Sequence, residues 1–241
     1  GSAYQMNLHL KHYATSELNR LADTLLNKIN IIIKDSSVNN ISDNPTMLAS
    51  ESQMAYKTAS VNFPFLNYNS ISVKPQILYS YGTYIGFLGY LNPFTLEAQL
   101  NTGIPKILLP YVTCHEMAHQ LGYASESEAN FIGYIACHQS KFAPFRYSVY
   151  LDLFSYAINN LYQRDSTVAI NKLKLLPQRV KDDRKQIRFF FNAYKNPFTP
   201  LLDWVYDKYL KANNQPLGRE SYSEVVGWLI AYANKYGWEN I

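Results

Sequence analysis

The chain has 241 residues and a net charge of +4, with 22 basic and 18 acidic side chains distributed along it. This length suits a single domain with a sizeable core. The charge distribution lacks the basic stripe of a nucleic-acid-binding protein, because Asp182 and Asp183 interrupt the densest basic cluster, residues 179–188. Gly1 and Ser2 resemble the remnant of a removed purification tag, so we expect one domain over residues 3–241.

The N-terminal part of the chain predicts two helices. Apolar residues at helical spacing indicate a first helix over Ser16–Ile33, with Ser16 or Thr15 as its N-cap. A second helix is expected over Pro45–Thr58, after a polar loop at Asp35–Asn44.

Residues Gln76–Asn101 predict a β-hairpin with its turn at Asn92-Pro93, because they are rich in aromatic and branched side chains and contain several glycines. The second arm alternates, with two sets of side chains facing opposite ways: Thr95, Glu97, Gln99 and Asn101 on one face, Leu96, Ala98 and Leu100 on the other. We expect the polar face to be solvated and to line a cleft, where Glu97, Gln99 and Asn101 would bind substrate. A free strand edge there would pair with an extended peptide.

The residues His115–His119 have the pattern His-Glu-x-x-His. On a helix, positions i and i+4 differ by only about 40° around the axis, so both imidazoles project toward one point that can hold a zinc ion. Glu116 would then lie beside a water on the metal rather than on the metal itself. The alternative is an exposed amphipathic helix with two solvated histidines. The apolar flanks argue against it, because buried imidazoles need partners.

The residues after this helix are expected to return a third ligand. Gly122 suits the position just beyond a helix end, and Ser125 with Glu128 reads as a capping box that opens a second helix. Catalytic zinc usually keeps three protein ligands and one open site. We favour Glu126 as the third ligand and keep Glu128 as the alternative, since the capping box would occupy Glu128. Asn130, one turn after Glu126, would hydrogen-bond a ligand histidine.

The remaining sequence predicts further helices and no cysteine-ligated metal. Cys114 and Cys137 are the only cysteines and lack metal-binding spacing, so we expect two buried thiols, with a disulfide as the alternative. From Phe142 onward the pattern predicts five helices: Pro144–Tyr162, Thr167–Leu175, Pro177–Tyr194, Pro200–Ala212 and Tyr222–Tyr236.

Three segments carry a family resemblance: LNPFTLEAQLNTGIP, LLPYVTCHEMAHQLGYASESEANFIGYIAC and FRYSVYLDLFSYAINNLY. They resemble the DUF3810 family of bacterial, largely Bacteroidetes, proteins, closely over Tyr79–Tyr162 and more weakly toward the C-terminus. The resemblance implies a gluzincin-like zinc metallopeptidase. It also implies membrane-spanning segments ahead of the domain, and hence a tethered protein on the extracytoplasmic, periplasmic side. More distantly, Glu126 and Asn130 fit the Glu-x-x-x-Asp spacing of gluzincins, with Asn in place of Asp.

The expected fold is α+β, predominantly helical and zincin-like. A small N-terminal lobe (residues 3–122) would contain a short sheet or hairpin and the HExxH helix, and residues 123–241 would form a helical C-terminal lobe. The expected function is zinc-dependent hydrolysis of a peptide or protein substrate, with Glu116 as general base and Tyr147, backed by Arg146 and Tyr150, as donor to the developing oxyanion. The alternative is a non-catalytic domain that retains zinc and acts as a peptide-binding or sensor module.

Overall fold

The computed structural model describes residues 5–67, 72–75, 89–91, 97–193 and 221–241. Within these ranges the chain is predominantly helical, as predicted, with short β-strands beside the helices. It forms eight α-helices: α1 (Thr15–Ile32), α2 (Pro45–Ala59), α3 (Leu109–Gln120), α4 (Glu126–His138), α5 (Ala143–Arg164), α6 (Ser166–Lys174), α7 (Gln178–Ala193) and α8 (Ser221–Tyr236). Single-turn 3₁₀ helices lie at Ser36–Asn39, Pro64–Leu66, Lys106–Leu108 and Trp238–Asn240.

The first two helices agree with the sequence prediction except at one cap. The N-cap of α1 is Ala14 rather than Thr15 or Ser16, because the Glu17 carboxylate accepts a hydrogen bond from the Ala14 backbone N–H at 2.9 Å. Glu17, in the first turn of the helix, therefore provides the hydrogen-bond acceptor for the N–H group of the N-cap residue. At α2, Asn44 is the N-cap, and its Oδ1 accepts from the backbone N–H groups of Thr46 and Met47.

The described strands form one small mixed sheet. The strands β1 (Val73–Pro75), β2 (Gly89–Leu91) and β3 (Ala98–Leu100) are arranged in the order β1-β3-β2. β2 pairs antiparallel with β3, with Tyr90 opposite Gln99, which confirms the predicted hairpin pairing; its turn lies outside the described residues. β1 pairs parallel with β3, with Lys74 opposite Gln99. The predicted free edge on β3 is therefore wrong, because both of its edges are occupied.

The predicted solvated face of β3 is also wrong. Ala98 and Leu100 are fully buried as expected, but Gln99 is only 9% exposed and Asn101 is 0% exposed. The strand is the middle one of the sheet and packs against α3, which removes it from solvent. The Asn101 amide is used locally, since its Oδ1 accepts from the Gly103 N–H at 3.0 Å.

The helix α4 lies at the centre of the described structure. It packs against α2, α3, α5 and α8, and every residue from Ala129 to Cys137 is buried. The helix α1 packs against α5, so the core crosses the proposed lobe boundary at residue 122. The predicted helices after Phe142 are confirmed as α5, α6, α7 and α8, whereas Pro200–Ala212 lies outside the described residues. None of the helices described is long and apolar enough to span a membrane.

The end of α3 is fixed by a glycine. Gly122 has φ +94°, a left-handed value that side chains rarely adopt, and its N–H donates to the His119 carbonyl at 3.0 Å. The Tyr123 N–H donates to the Ala118 carbonyl at 3.2 Å, which completes a Schellman motif. The chain therefore reverses one turn after His119, as predicted.

We expect Gly122→Ala to destabilise the protein by about 1–2 kcal/mol, the cost of a left-handed backbone for a residue with a Cβ. The cost is purely conformational, since no atom lies within 4 Å of an ideal Cβ at this position. Urea unfolding of the metal-free protein measures it. Gly122→Asn is the matched control and should lose less, because Asn tolerates this conformation. Equal stability of Gly122→Ala and the wild type would contradict the expectation.

Candidate metal centre

Two histidines of α3 meet at one point, as their spacing predicts. The Nε2 atoms of His115 and His119 lie 3.2 Å apart, and the two rings are perpendicular, with centroids 4.7 Å apart. Both side chains are mostly buried, at 14% and 13% exposed. Two ring nitrogens so close together need a proton or a cation between them, because lone pairs repel.

A carboxylate from α4 completes the group. Glu126 Oε2 lies 3.2 Å from the Nε2 of His115, and Glu126 Oε1 lies 3.7 Å from the Nε2 of His119. The ligand atoms of these three residues all lie within 4.8 Å of one another, so the group could hold a metal ion. The structure brings Glu126 to the histidines, whereas Glu128 is not part of this group.

The start of α4 differs from the prediction. Ser125 is the N-cap residue, but its side chain makes no cap hydrogen bond; its Oγ is instead 3.0 Å from the Oγ of Ser127. The predicted capping bond of the Ser125 side chain is therefore wrong, whereas Ser125 is the N-cap as predicted and the helix begins at Glu126. Glu126 consequently projects from the first turn of a helix, where a fixed backbone orients its carboxylate.

The ring nitrogen of His119 that points away from the group contacts the main chain. His119 Nδ1 lies 2.7 Å from the main-chain oxygen of Tyr123. A carbonyl oxygen only accepts, so Nδ1 carries the hydrogen and the Nε2 lone pair faces the group. Such contacts fix the tautomer of a metal-binding histidine.

Asn130 lies beside His115, as the sequence predicts. Its side chain favours the protonated form of the His115 ring, and the Tyr111 hydroxyl donates to the main-chain oxygen of Asn130 at 2.9 Å. Within the described residues, His115 Nδ1 and Asn130 Nδ2 are buried without a hydrogen-bond partner. A half-turn of the Asn130 amide exchanges its oxygen and nitrogen and would give the His115 N–H an acceptor.

The charges of the group are strongly coupled. Burial lowers the pKa of His115, but the hydrogen bond and negative charge of Glu126, with the charge of Glu116, outweigh burial and raise that pKa to about 9. Burial and the charge of His115 together lower the pKa of His119 to about 4. Glu126 therefore favours the protonated form of His115 in the metal-free group.

Glu116 is buried beside the group. Its side chain is 5% exposed, and its Oε2 has no hydrogen-bond partner among the residues described. Burial raises its pKa to about 7, against the opposing charge of His115. A buried carboxylate oxygen without a partner is costly unless something polar occupies the adjacent space.

An acid that the sequence analysis missed also acts on the group. Asp152 lies on α5 and is near enough to His115 for the imidazole charge to lower the pKa of its carboxyl, although burial raises that pKa overall to about 6. It is hydrogen-bonded to Tyr156, one turn further along the helix. One turn before Asp152, Ser148 Oγ accepts from the Tyr111 N–H at 3.2 Å, which places α5 alongside α3. No motif or spacing marks Asp152 in the sequence.

The structure gives Tyr147 a different role from the predicted oxyanion donor. Its ring is fully buried, and its hydroxyl donates to the Asp183 carboxylate of α7 at 2.6 Å. Arg146 donates to the main-chain oxygen of Ser140, and the Tyr150 hydroxyl is 2.9 Å from Nδ1 of His138. Tyr147 and Tyr150 therefore join α5 to α7 and to α4, and Arg146 joins α5 to the loop that precedes it.

The predicted substrate-binding residues in and beside β3 make contacts of their own. Glu97 forms an ion pair with Lys74 of β1, while Gln99 and Asn101 are buried as described above. The strand packs against α3.

The two cysteines are buried free thiols, as predicted. Cys137 forms a side-chain hydrogen bond with Cys114. Burial, and to a lesser extent this contact, raises the pKa of the Cys137 thiol. The pair lies where α3 and α4 face each other.

We expect metal retention to separate the two candidate acids. Glu126→Ala and His119→Ala should lose zinc binding, because each removes one of the three clustered ligand atoms. Glu128→Ala is the matched control and should retain it. Zinc stoichiometry after dialysis, measured by atomic absorption, checks this. Loss of zinc from Glu128→Ala with retention by Glu126→Ala would reverse the assignment.

We also expect zinc binding to release protons. Near pH 8 the metal-free protein keeps a proton on His115, whose pKa is about 9, and a metal ligand must be deprotonated. Binding should then release about one proton, and zinc affinity should rise with pH until that pKa is passed. Calorimetric titration in buffers of different ionisation enthalpy counts the protons. A binding enthalpy that does not depend on the buffer would contradict this.

Comparison with known proteins identifies a family and nothing more specific. The family model described as "Protein of unknown function (DUF3810)" matches residues 2–230. No curated protein and no solved structure matches the chain. The family match covers almost the whole chain, as the resemblance in three of its segments implies. The protein with this buried His-His-Glu group therefore belongs to the DUF3810 family.

Proposed function

We propose that this protein is a zinc-dependent hydrolase of peptide bonds with a zincin-like arrangement of its metal-binding helix. The observation that carries the proposal is the buried Oε2 atom of Glu116, one residue from His115, which has no hydrogen-bond partner among the described residues. No hydrogen bond within that part of the chain explains the burial of this oxygen. It fits a general base that faces a water molecule during reaction.

The donor set supports zinc as the ion. Two imidazole nitrogens and one carboxylate are the ligands of many catalytic zinc sites, which leave one position open. Zinc–nitrogen distances of about 2.0–2.1 Å and tetrahedral angles require ligand atoms about 3.3–3.4 Å apart. The separations of 3.2, 3.2 and 3.7 Å between the ligand atoms of His115, His119 and Glu126 are near this value, although they involve different oxygens of the carboxylate.

The roles of the chain's own residues follow from their positions. A zinc ion in this group would supply Lewis-acid chemistry, which acidifies water and polarises a carbonyl oxygen. Glu116 would accept the proton of the attacking water and later deliver a proton to the leaving amine. Its buried setting and raised pKa, about 7, suit a group that both takes and returns a proton near neutral pH.

The predicted donor to the developing oxyanion is already engaged, because the Tyr147 hydroxyl donates to Asp183. Stabilisation of that charge would therefore fall chiefly to the metal ion.

The non-catalytic alternative, a domain that retains zinc and binds or senses peptides, uses the same three ligands. In this alternative, Glu116 would have no catalytic role. Zinc binding with no hydrolysis of any peptide in a diverse library would favour it.

We expect Glu116→Gln to keep its zinc and to lose at least about 100-fold in kcat, the usual worth of a general base. Gln has nearly the same shape but does not accept the proton from water. The matched control is Glu51→Gln on α2, which should retain wild-type turnover. Hydrolysis of a quenched fluorescent peptide library and zinc stoichiometry are measured on the same samples. Full activity in Glu116→Gln would remove the proposed base.

A further inference from the structure

The helix α4 approaches the backbone of α3 closely at a glycine, Gly133. An ideal Cβ on Gly133 would lie 3.2 Å from the backbone N and 3.3 Å from the Cα of His115, and 3.3 Å from Cε2 of Tyr111. Such distances are tighter than ordinary carbon contacts, so a side chain here would require the neighbours to shift by a few tenths of an ångström. Two of the three atoms are backbone of a metal-binding residue and cannot rotate away.

Gly133 shares one face of α4 with the acid of the metal centre. At about 100° per residue, residues 126, 130, 133 and 137 lie within about 60° of one another around the helix. Each of these four residues contacts α3. Glu126 contacts both histidines, Asn130 contacts Tyr111, Gly133 contacts His115, and Cys137 contacts Cys114. This face of α4 is called the Glu126 face below.

Gly133 and the proposed ligand Glu126 lie on the same helix, α4. Seven residues, about 10 Å along the axis, separate Gly133 from Glu126, and a helix of this length moves nearly as a rigid body. A displacement of α4 at Gly133 is therefore transmitted to the Glu126 carboxylate. The two histidines remain on α3, so the distance between the acid and the imidazoles changes.

We propose that Gly133 is a positioning residue that sets the size of the metal centre, and thereby its preference for a small divalent cation such as zinc over a larger one. The inference rests on the proposed zinc site but not on its hydrolytic activity. The glycine has a local cost, because Gly within a helix is less favourable than Ala. In return, the absence of a side chain at position 133 allows α4 and α3 to approach each other closely.

The test compares metal selectivity in two glycine variants. Gly133→Ala should weaken zinc binding about tenfold or more, in the range found for residues that orient metal ligands. Cadmium is a larger ion with similar ligands, and its affinity should fall less than that of zinc. The preference for zinc over cadmium, measured from the two Kd values, should therefore decrease. Competition with a fluorescent chelator measures both constants, and urea unfolding of the metal-free protein records stability.

The matched control is Gly227→Ala on α8. The three atoms nearest to an ideal Cβ there are side-chain atoms: the end of Leu10 at 2.9 Å and two atoms of the Tyr13 ring at 3.6 and 3.8 Å. It makes the same change in a buried helix without touching α3 or α4, so both Kd values should remain within about twofold of wild type, well inside the tenfold effect expected at Gly133.

If Gly133→Ala is isolated unfolded, Cys137→Val tests the same spacing one turn further along the Glu126 face, where Cys137 Sγ lies 3.9 Å from the Pro110 oxygen. It must also shift selectivity toward cadmium. Unchanged Kd values, or an equal loss of both ions, would overturn the inference and leave the zinc site intact. A wild-type protein that binds no zinc would instead refute the proposed function.

Discussion

The structure depends on the direct packing of α3 against α4. This contact buries two imidazoles and two carboxylates in the centre of a helical body, where each charge needs a partner. The two helices are joined by a short reversal, so the ligands from both are near in sequence as well as in space. Neighbouring elements position this pair: α2, α5 and α8 pack on α4, and the small sheet packs on α3.

Local patterns predicted this centre well. The i, i+4 spacing placed His115 and His119 on one side of a helix, and Gly122 marked its end, because both depend only on backbone geometry. The helices of the C-terminal part also followed from their apolar periodicity. The choice of Glu126 agreed with the structure, although the Ser125 side-chain bond of the capping box used to argue for it does not form.

The failures concern contacts between distant parts of the chain. Alternation in the second hairpin arm suggested a solvated face, but pairing with β1 makes β3 the central strand. Tyr147 was chosen for its residue type, and its hydroxyl instead bonds Asp183, 36 residues away. Asp152 escaped notice because an acid within an apolar helix has no periodic signature; its relevance arises only when α5 lies beside α3.

The acceptor for the outer nitrogen of His119 is a peptide carbonyl, that of Tyr123. No exchange of side chain at position 123 deletes that oxygen, so the imidazole orientation is insulated from point substitution there. It is instead sensitive to the length of the connection between α3 and α4. Adding or deleting a single residue after Gly122 would move the carbonyl and rotate the ring. The number of residues in this loop is therefore constrained more strongly than their identity.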